Sequence, residues 1–204
     1  MYKHMIWDFD GTLFDTYPVI TESFRLELEA RGYREPYDEI LNYTKRSMTD
    51  ACDHYIEKYH LQPDFFNRYK ERCHEMERRM CRPYDGMSDL CKYIYDSGRM
   101  NYLYTHRSDT ALVYLKDQGL YQYFKDFITS GSGFERKPSP EALLYLIDKH
   151  SMKPEEAIMM GDREIDILAA KNAGIRSCFF SELGEVCEIA DYNVKTAREI
   201  YSIL

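Results

Sequence analysis

Met5-Ile6-Trp7-Asp8-Phe9-Asp10-Gly11-Thr12-Leu13 opens as a short apolar run and closes on two acids and a glycine. Apolar runs of this length, ended by a turn residue, read as buried strands. Met5 to Phe9 is therefore expected to be a strand, with Asp8 and Asp10 at its end. Side chains two apart on a strand point to the same side, so both carboxylates face one way just where the chain leaves the sheet. Gly11 then permits a tight, backbone-exposing turn. Two acids so placed can hold a hard divalent cation and divide the labour, one as nucleophile and one as proton donor. Taken alone, the same pair reads more readily as solvated acids at a strand end.

Working outward, four more apolar runs read as strands: Met100 to Thr105, Phe127 to Ser130, Ala157 to Gly161 and Ser177 to Phe180. Helical patterns starting near Ser108, Pro138 and Arg163 separate them, and the first and third stop at Gly119 and Gly174, residues suited to a left-handed helix end. Ser139 followed by Pro140 fits an N-cap with proline in the first helical position. This alternation predicts an α/β fold, a parallel sheet joined by crossover helices.

Between the first two strands lie about 90 residues, where a crossover needs roughly a dozen. Phe65, Tyr69, Cys73, Met76 and Met80 recur there at helical spacing, as do Ile20, Phe24 and Leu28 before Gly32. The expected organisation is a helical insert over residues 16–82 on a core of residues 1–15 and 83–204, re-entered at Pro83-Tyr84-Asp85-Gly86. Open parallel sheets carry their sites at the carboxyl ends of the strands, where such an insert would form a lid.

Composition narrows the function. The 204 residues include 35 acidic and 27 basic side chains, for a formal charge of −8. That balance argues against a nucleic-acid partner, which draws on clustered Lys and Arg. No uncharged run approaches the ~18 residues needed to cross a bilayer, and no signal-like stretch opens the chain, so a cytoplasmic protein without a membrane partner is expected. The six cysteines form no C-x-x-C pair, which excludes a zinc knuckle or thioredoxin-like motif and predicts reduced thiols. The 19 tyrosines are scattered and read as packing.

A second acidic place follows the fourth strand, Gly161-Asp162-Arg163-Glu164-Ile165-Asp166. Asp162 should reach the same sheet edge as Asp8 and is the candidate for a third metal-facing carboxylate. Glu164 reads as a helix-start acid that complements the dipole. Asp166 is open between a partner of metal-bound water, a partner of a lysine and a helix-stabilising acid. Thr105, ending the second strand, and Lys137, before a crossover helix, supply a hydroxyl and an ammonium that could cradle a phosphoryl group in this acidic setting.

In order and spacing, Asp8-Phe9-Asp10-Gly11-Thr12-Leu13, Thr105, Lys137-Pro138 and Gly161-Asp162 with Asp166 resemble the four motifs of the haloacid dehalogenase superfamily. Asp15, Pro83 to Met87, Lys137-Pro138-Ser139-Pro140-Glu141, Ala169-Ala170 with Ala173-Gly174, and Ala190-Asp191-Tyr192 are similar to its phosphoglycolate phosphatase and β-phosphoglucomutase branch. The resemblance implies a Rossmann-like core with an α-helical cap, and a phosphatase that uses Mg²⁺ and an aspartyl-phosphate. Asp8 would be the nucleophile and Asp10 the acid and base. Mg²⁺ would be held by the Asp8 carboxylate, the Asp10 backbone carbonyl and Asp162, with Asp166 in the same metal set. Gly11, Thr105, the N–H of His106 and Lys137 would bind phosphate. The implied substrate is a small organic phosphate such as 2-phosphoglycolate, taken by a monomer or weak homodimer.

His106 stands where such relatives often carry Asn, Ser or Gly. With Arg107 it offers extra donors that either tune substrate choice or pack and pair at the surface. Arg46, beside Lys45, lies near where relatives place a substrate-reading cation, and is also readable as a solvated residue. Asp10 separates phosphatases and phosphomutases from dehalogenases, which work without a second acid. A β-phosphoglucomutase-like phosphotransferase and a receiver-like phospho-acceptor module, which is not an enzyme, are the alternatives.

Overall fold

β1 (His4–Trp7) is buried on both faces because it sits in the middle of the sheet, which is why it reads as an uninterrupted apolar run. The computed structural model describes all 204 residues, Met1–Leu204. The chain divides into two units, residues 1–14 with 83–204, and residues 15–82. The first carries one sheet of six strands, β1, β2 (Met100–Tyr104), β3 (Phe124–Ile128), β4 (Ala157–Gly161), β5 (Arg176–Phe180) and β6 (Tyr192–Val194). Their order is β3-β2-β1-β4-β5-β6, and all pairs are parallel. The order reverses between β1 and β4, which makes that crevice the expected ligand site in a doubly wound sheet.

The unit of residues 15–82 is four helices, α1 (Tyr17–Glu29), α2 (Tyr37–Arg46), α3 (Met48–Tyr59) and α4 (Phe65–Met80). Ile20, Phe24, Leu28, Ile40, Tyr55, Phe65 and Tyr69 share one apolar cluster. Phe24 is its centre, with ring centroids of Tyr55, Phe65 and Tyr69 at 5.4, 5.1 and 5.3 Å. The periodicity in α1 and α4 was legible; α2 and α3 were not, because Asp38, Glu39, Asn42, Lys45 and Arg46 leave α2 with only Ile40 and Thr44 buried.

Helices α5 (Met87–Asp96), α6 (Thr110–Asp117), α7 (Glu141–Lys149), α8 (Glu164–Asn172) and α9 (Ala197–Tyr201) complete the core unit. Leu143 and Leu146 of α7 and Ala169 and Ala170 of α8 pack with Ile6, Tyr102, Ile128 and Met159 of the sheet. Gly119 and Gly174 take φ of +68° and +74° just past α6 and α8, as their position predicts. No helix is long and apolar enough to cross a membrane.

Four local expectations shift. β1 ends at Trp7, two residues before Phe9, so Asp8 and Asp10 lie past the strand and strand alternation does not set their directions. β3 begins at Phe124, three residues early, and ends at Ile128, with Thr129 capping a turn of 3-10 helix that starts at Ser130. α7 begins at Glu141 with Pro140 as N-cap, one residue later than a Ser139 cap would place it, although the Ser139 Oγ still accepts from the Glu141 N–H at 3.4 Å. β6 is a sixth strand with no apolar run to announce it. Asp191 secures it by accepting from the Ser177 N–H and Oγ, both at 2.9 Å.

Candidate active site

Three strands deliver their ends to one level. Trp7 pairs with both Leu103 and Met160, the Asp8 N–H donates to Met160 O at 2.9 Å, and the Thr105 N–H donates to Ile128 O at 2.9 Å. Asp8, Thr105 and Asp162 therefore leave the sheet beside one another, with Asp8 and Asp162 flanking the point where strand order reverses.

Asp8 is 1% exposed, and neither of its carboxylate oxygens has a hydrogen-bond donor aimed at it. Its neighbour is Lys137, whose side chain is fully buried and whose Nζ lies 3.0 Å from Asp8 Oδ1, an ion pair without hydrogen-bond alignment. The same Nζ donates to Asp166 Oδ1 at 2.7 Å and stands 4.6 Å from the centre of the Tyr104 ring. Burial alone would push the Lys137 ammonium pKa down, but Asp166 and Asp8 outweigh it and hold it up, so the side chain stays charged. The other oxygen of Asp166 accepts from the Arg163 N–H at 3.1 Å. Asp166 thus serves both as lysine partner and as helix-start acid of α8.

Gly161 explains how a fully buried carboxylate reaches this place. A Cβ built at Gly161 would lie 2.2 Å from the Asp166 Cβ and 2.4 Å from its Cγ. Any side chain there would displace Asp166, and with it the partner that holds Lys137.

Asp162 Oδ1 accepts from Thr12 Oγ1 at 3.3 Å, tying the end of β4 to the turn after β1. Ligand oxygens of Asp8, Asp162 and Asp166 all lie within 4.8 Å of one another. A set of carboxylate oxygens suits a hard divalent cation, and the two undirected, buried oxygens of Asp8 are the kind of orphaned acceptor that a cation satisfies. The residues therefore fit a metal ion. Asp8 and Asp162 fit it as direct ligands; Asp166, with an oxygen on Lys137 and an oxygen on the Arg163 N–H, fits better at one remove.

Asp10 is drawn elsewhere. Its carboxylate accepts from Arg107 Nε at 3.0 and 3.1 Å and from Arg107 Nη2 at 2.6 Å. Gly11, at φ +74°, makes the turn that follows, closed by its N–H on Phe14 O at 2.9 Å. Thr105 is buried, and its Oγ1 accepts the Arg107 N–H at 3.1 Å, which leaves the hydroxyl hydrogen available to donate.

His106 departs from the expected extra donor. Burial, then the charges of Lys137, Arg136 and Arg163, push its imidazole down to about 3, so the ring is neutral. Its Nε2 accepts the Lys137 backbone N–H at 2.8 Å, an assignment made from the hydrogen-bond network that puts the proton on Nδ1. The Arg136 guanidinium nitrogen 3.2 Å from Nδ1 is then a packing contact. The side chain is an acceptor that holds the Lys137 loop. Arg46 belongs to the other unit, as the last residue of α2, with its guanidinium 5.6 Å from the Tyr43 ring.

Thr12, Tyr104, Gly161 and Arg163, the last with a nitrogen 3.7 Å from Asp8 Oδ2, carry no role in the sequence reading. Thr12 and Gly161 sit inside the quoted motifs, so their position was a signal; Tyr104 and Arg163 look like an ordinary strand aromatic and a surface cation until the fold brings them to Lys137 and Asp8.

A family model described as haloacid dehalogenase-like hydrolase matches residues 5–180. The chain is 30% identical over 176 residues to a protein named pyrophosphatase PpaX from Bacillus pumilus, covering 85% of this chain and 80% of that one. It is 28% identical over 190 residues to a phosphoglycolate phosphatase from Vibrio parahaemolyticus, covering 86% and 82%. Among solved structures, a hydrolase from Streptococcus pneumoniae TIGR4 is similar with a TM-score of 0.69 at 33% identity, over 88% of this chain and 93% of that one.

Proposed function

The chain belongs to the haloacid dehalogenase-like hydrolase family, and on that premise we propose that it is a Mg²⁺-dependent phosphomonoester hydrolase acting on a small organic phosphate of the 2-phosphoglycolate kind, through a phosphorylated Asp8. The observation that carries this reading is Asp8 itself: a buried carboxylate with no directed hydrogen bond, 3.0 Å from a buried ammonium, at the strand-order reversal. An anionic nucleophile can approach an anionic ester only where positive charge is already in place, since phosphoryl transfer is mostly positioning and electrostatics.

An Asp8 oxygen forms the bond to phosphorus as the bond to the ester oxygen breaks, and Asp10 gives the departing alkoxide its proton. In the second half Asp10 takes a proton from the water that attacks phosphorus, the Asp8–phosphorus link breaks, and phosphate leaves. The hydroxyl of Thr105 and the backbone N–H of His106 hold phosphoryl oxygens, while Lys137 neutralises both Asp8 and the transferred group. A divalent cation held by Asp8, the Asp10 backbone carbonyl and Asp162, with Asp166 behind, would add positive charge opposite the phosphoryl oxygens.

A second substrate reading, inorganic pyrophosphate, is supported by the relative named pyrophosphatase and by Arg163 beside Asp8, a cation beyond the one a single phosphoryl group needs. Phosphate release from 2-phosphoglycolate, hexose phosphates and pyrophosphate, with and without Mg²⁺, ranks the two. Asp8→Asn is expected to lower turnover at least ~10³-fold and Asp10→Asn by ~10²- to 10⁴-fold, and chelator should abolish release reversibly. Wild-type rates from Asp8→Asn would overturn the nucleophile; return of the phosphoryl group to a sugar, without free phosphate, would replace the hydrolase with a phosphomutase.

A further inference from the structure

The proposed acid and base does not stand beside the proposed nucleophile with its side chain free. Asp10 and Asp8 are two residues apart, yet the oxygens of Asp8 cluster with those of Asp162 and Asp166 while the Asp10 carboxylate is gripped by Arg107. The grip has two points. Nη2 binds Oδ1 at 2.6 Å and Nε spans both oxygens at 3.0 and 3.1 Å, the side-on geometry that a planar guanidinium offers and an ammonium does not. Arg107 is itself held. Its backbone N–H is on Thr105 Oγ1, its guanidinium carbon lies 5.3 Å from the Phe9 ring and 5.8 Å from the Tyr114 ring, and its side chain is only 11% exposed. A guanidinium packed against two neighbouring aromatic rings, whose centroids are 6.2 Å apart, has few other rotamers available.

We infer that Arg107 is the positioning residue for Asp10: it fixes the direction of the Asp10 carboxylate and keeps it out of the Asp8, Asp162 and Asp166 cluster, where a fourth carboxylate would compete for the cation. The inference rests on the phosphatase reading above and deepens it. Three consecutive residues of one turn then serve three different groups. Thr105 presents a hydroxyl to phosphate, His106 holds the Lys137 backbone, and Arg107 aims Asp10.

The arrangement predicts a kinetic signature. Loss of a group that acts only by aiming the acid and base lowers kcat, whereas loss of a group that binds substrate raises KM. Arg107→Met is therefore expected to lower kcat about 10- to 100-fold, the usual effect of misplacing a reacting group by an ångström, with KM changed less than about threefold. Arg107→Lys should recover only part of that loss, because it restores the charge without the two-point grip. In an Asp10→Asn background, Arg107→Met should cost nothing further, since the residue it positions is already disabled. A loss that appears in KM, or that persists in full in the Asp10→Asn background, overturns the inference and makes Arg107 a substrate contact. The crystal structure of Arg107→Met supplies a readout without turnover: the Asp10 side chain should leave its present rotamer, and an unmoved carboxylate overturns the inference. A wild-type protein that releases phosphate from no ester sinks the phosphatase reading, and that structure then still decides whether Arg107 holds Asp10.

Discussion

His106 ties the loop after β2 to the loop before α7 by accepting the Lys137 N–H, and it can do so only while its Nε2 carries no proton. Its ordinary value of 6.5 is pushed down to about 3 by burial and by Lys137, Arg136 and Arg163. The unfolded chain therefore takes up this proton below about pH 6.5 while the folded chain resists until about 3, so this contribution to stability is complete above 6.5 and declines as pH falls through that window. His106→Gln, whose side-chain carbonyl can still accept from Lys137, is expected to show a smaller drop in Tm between pH 7 and pH 5 than the wild type. Calorimetry at the two pH values checks it, and equal drops would mean the imidazole proton is not resisted. The identity of His106 as an unusual residue was visible in the motif, but its role as acceptor was not, because nothing in Thr105-His106-Arg107 says that Lys137, 31 residues away, will be its partner.

At the scale of elements, Asn101 does for β2 what no apolar residue could. It is fully buried, its Oδ1 accepts from Trp7 Nε1 at 2.9 Å, and its Nδ2 donates to Cys91 O at 2.9 Å and to Tyr123 O at 3.1 Å. One amide thus joins β1, the middle of α5 and the turn before β3. Asn101→Leu would orphan a donor and weaken two carbonyls inside the core, and each orphaned buried group costs about 1–3 kcal/mol. A loss of roughly 3 kcal/mol or more in urea unfolding is expected, with no change in the slope that reports exposed surface. An effect under about 1 kcal/mol would show that water reaches these groups. The misplaced elements have a common cause. β3 and β6 are edge strands, where the exposed Lys125 and Tyr192 and the partly buried Asp126, paired with Lys149 and His150, dilute the apolar run that announces a central strand.

Across the whole molecule, the six thiols report the fold. Cys52, Cys73, Cys81, Cys91 and Cys178 are buried and only Cys187 is partly exposed, with no disulfide among them. Burial pushes the Cys52 and Cys178 thiols up to about 12, and Cys91 up as well, which suppresses the reactive thiolate. A thiol reagent at pH 8 is expected to modify one cysteine quickly in the native protein and six in denaturant; three or more fast-reacting native thiols would contradict this packing. Local pattern by itself determined a great deal at this scale. The buried run before Asp8, the alternation of strands and helices and the helical periodicity of Phe65 to Met80 follow from side-chain period and from which residues can end a strand or a helix, and the motif residues were legible as a resemblance to the family. Only the tertiary structure decided which charges meet. Arg107 with Asp10, His106 with Lys137, and Lys137 with Asp166 join residues tens of positions apart. Pairings of that kind depend on where strand order reverses and how loops stack above it, and no local period encodes either.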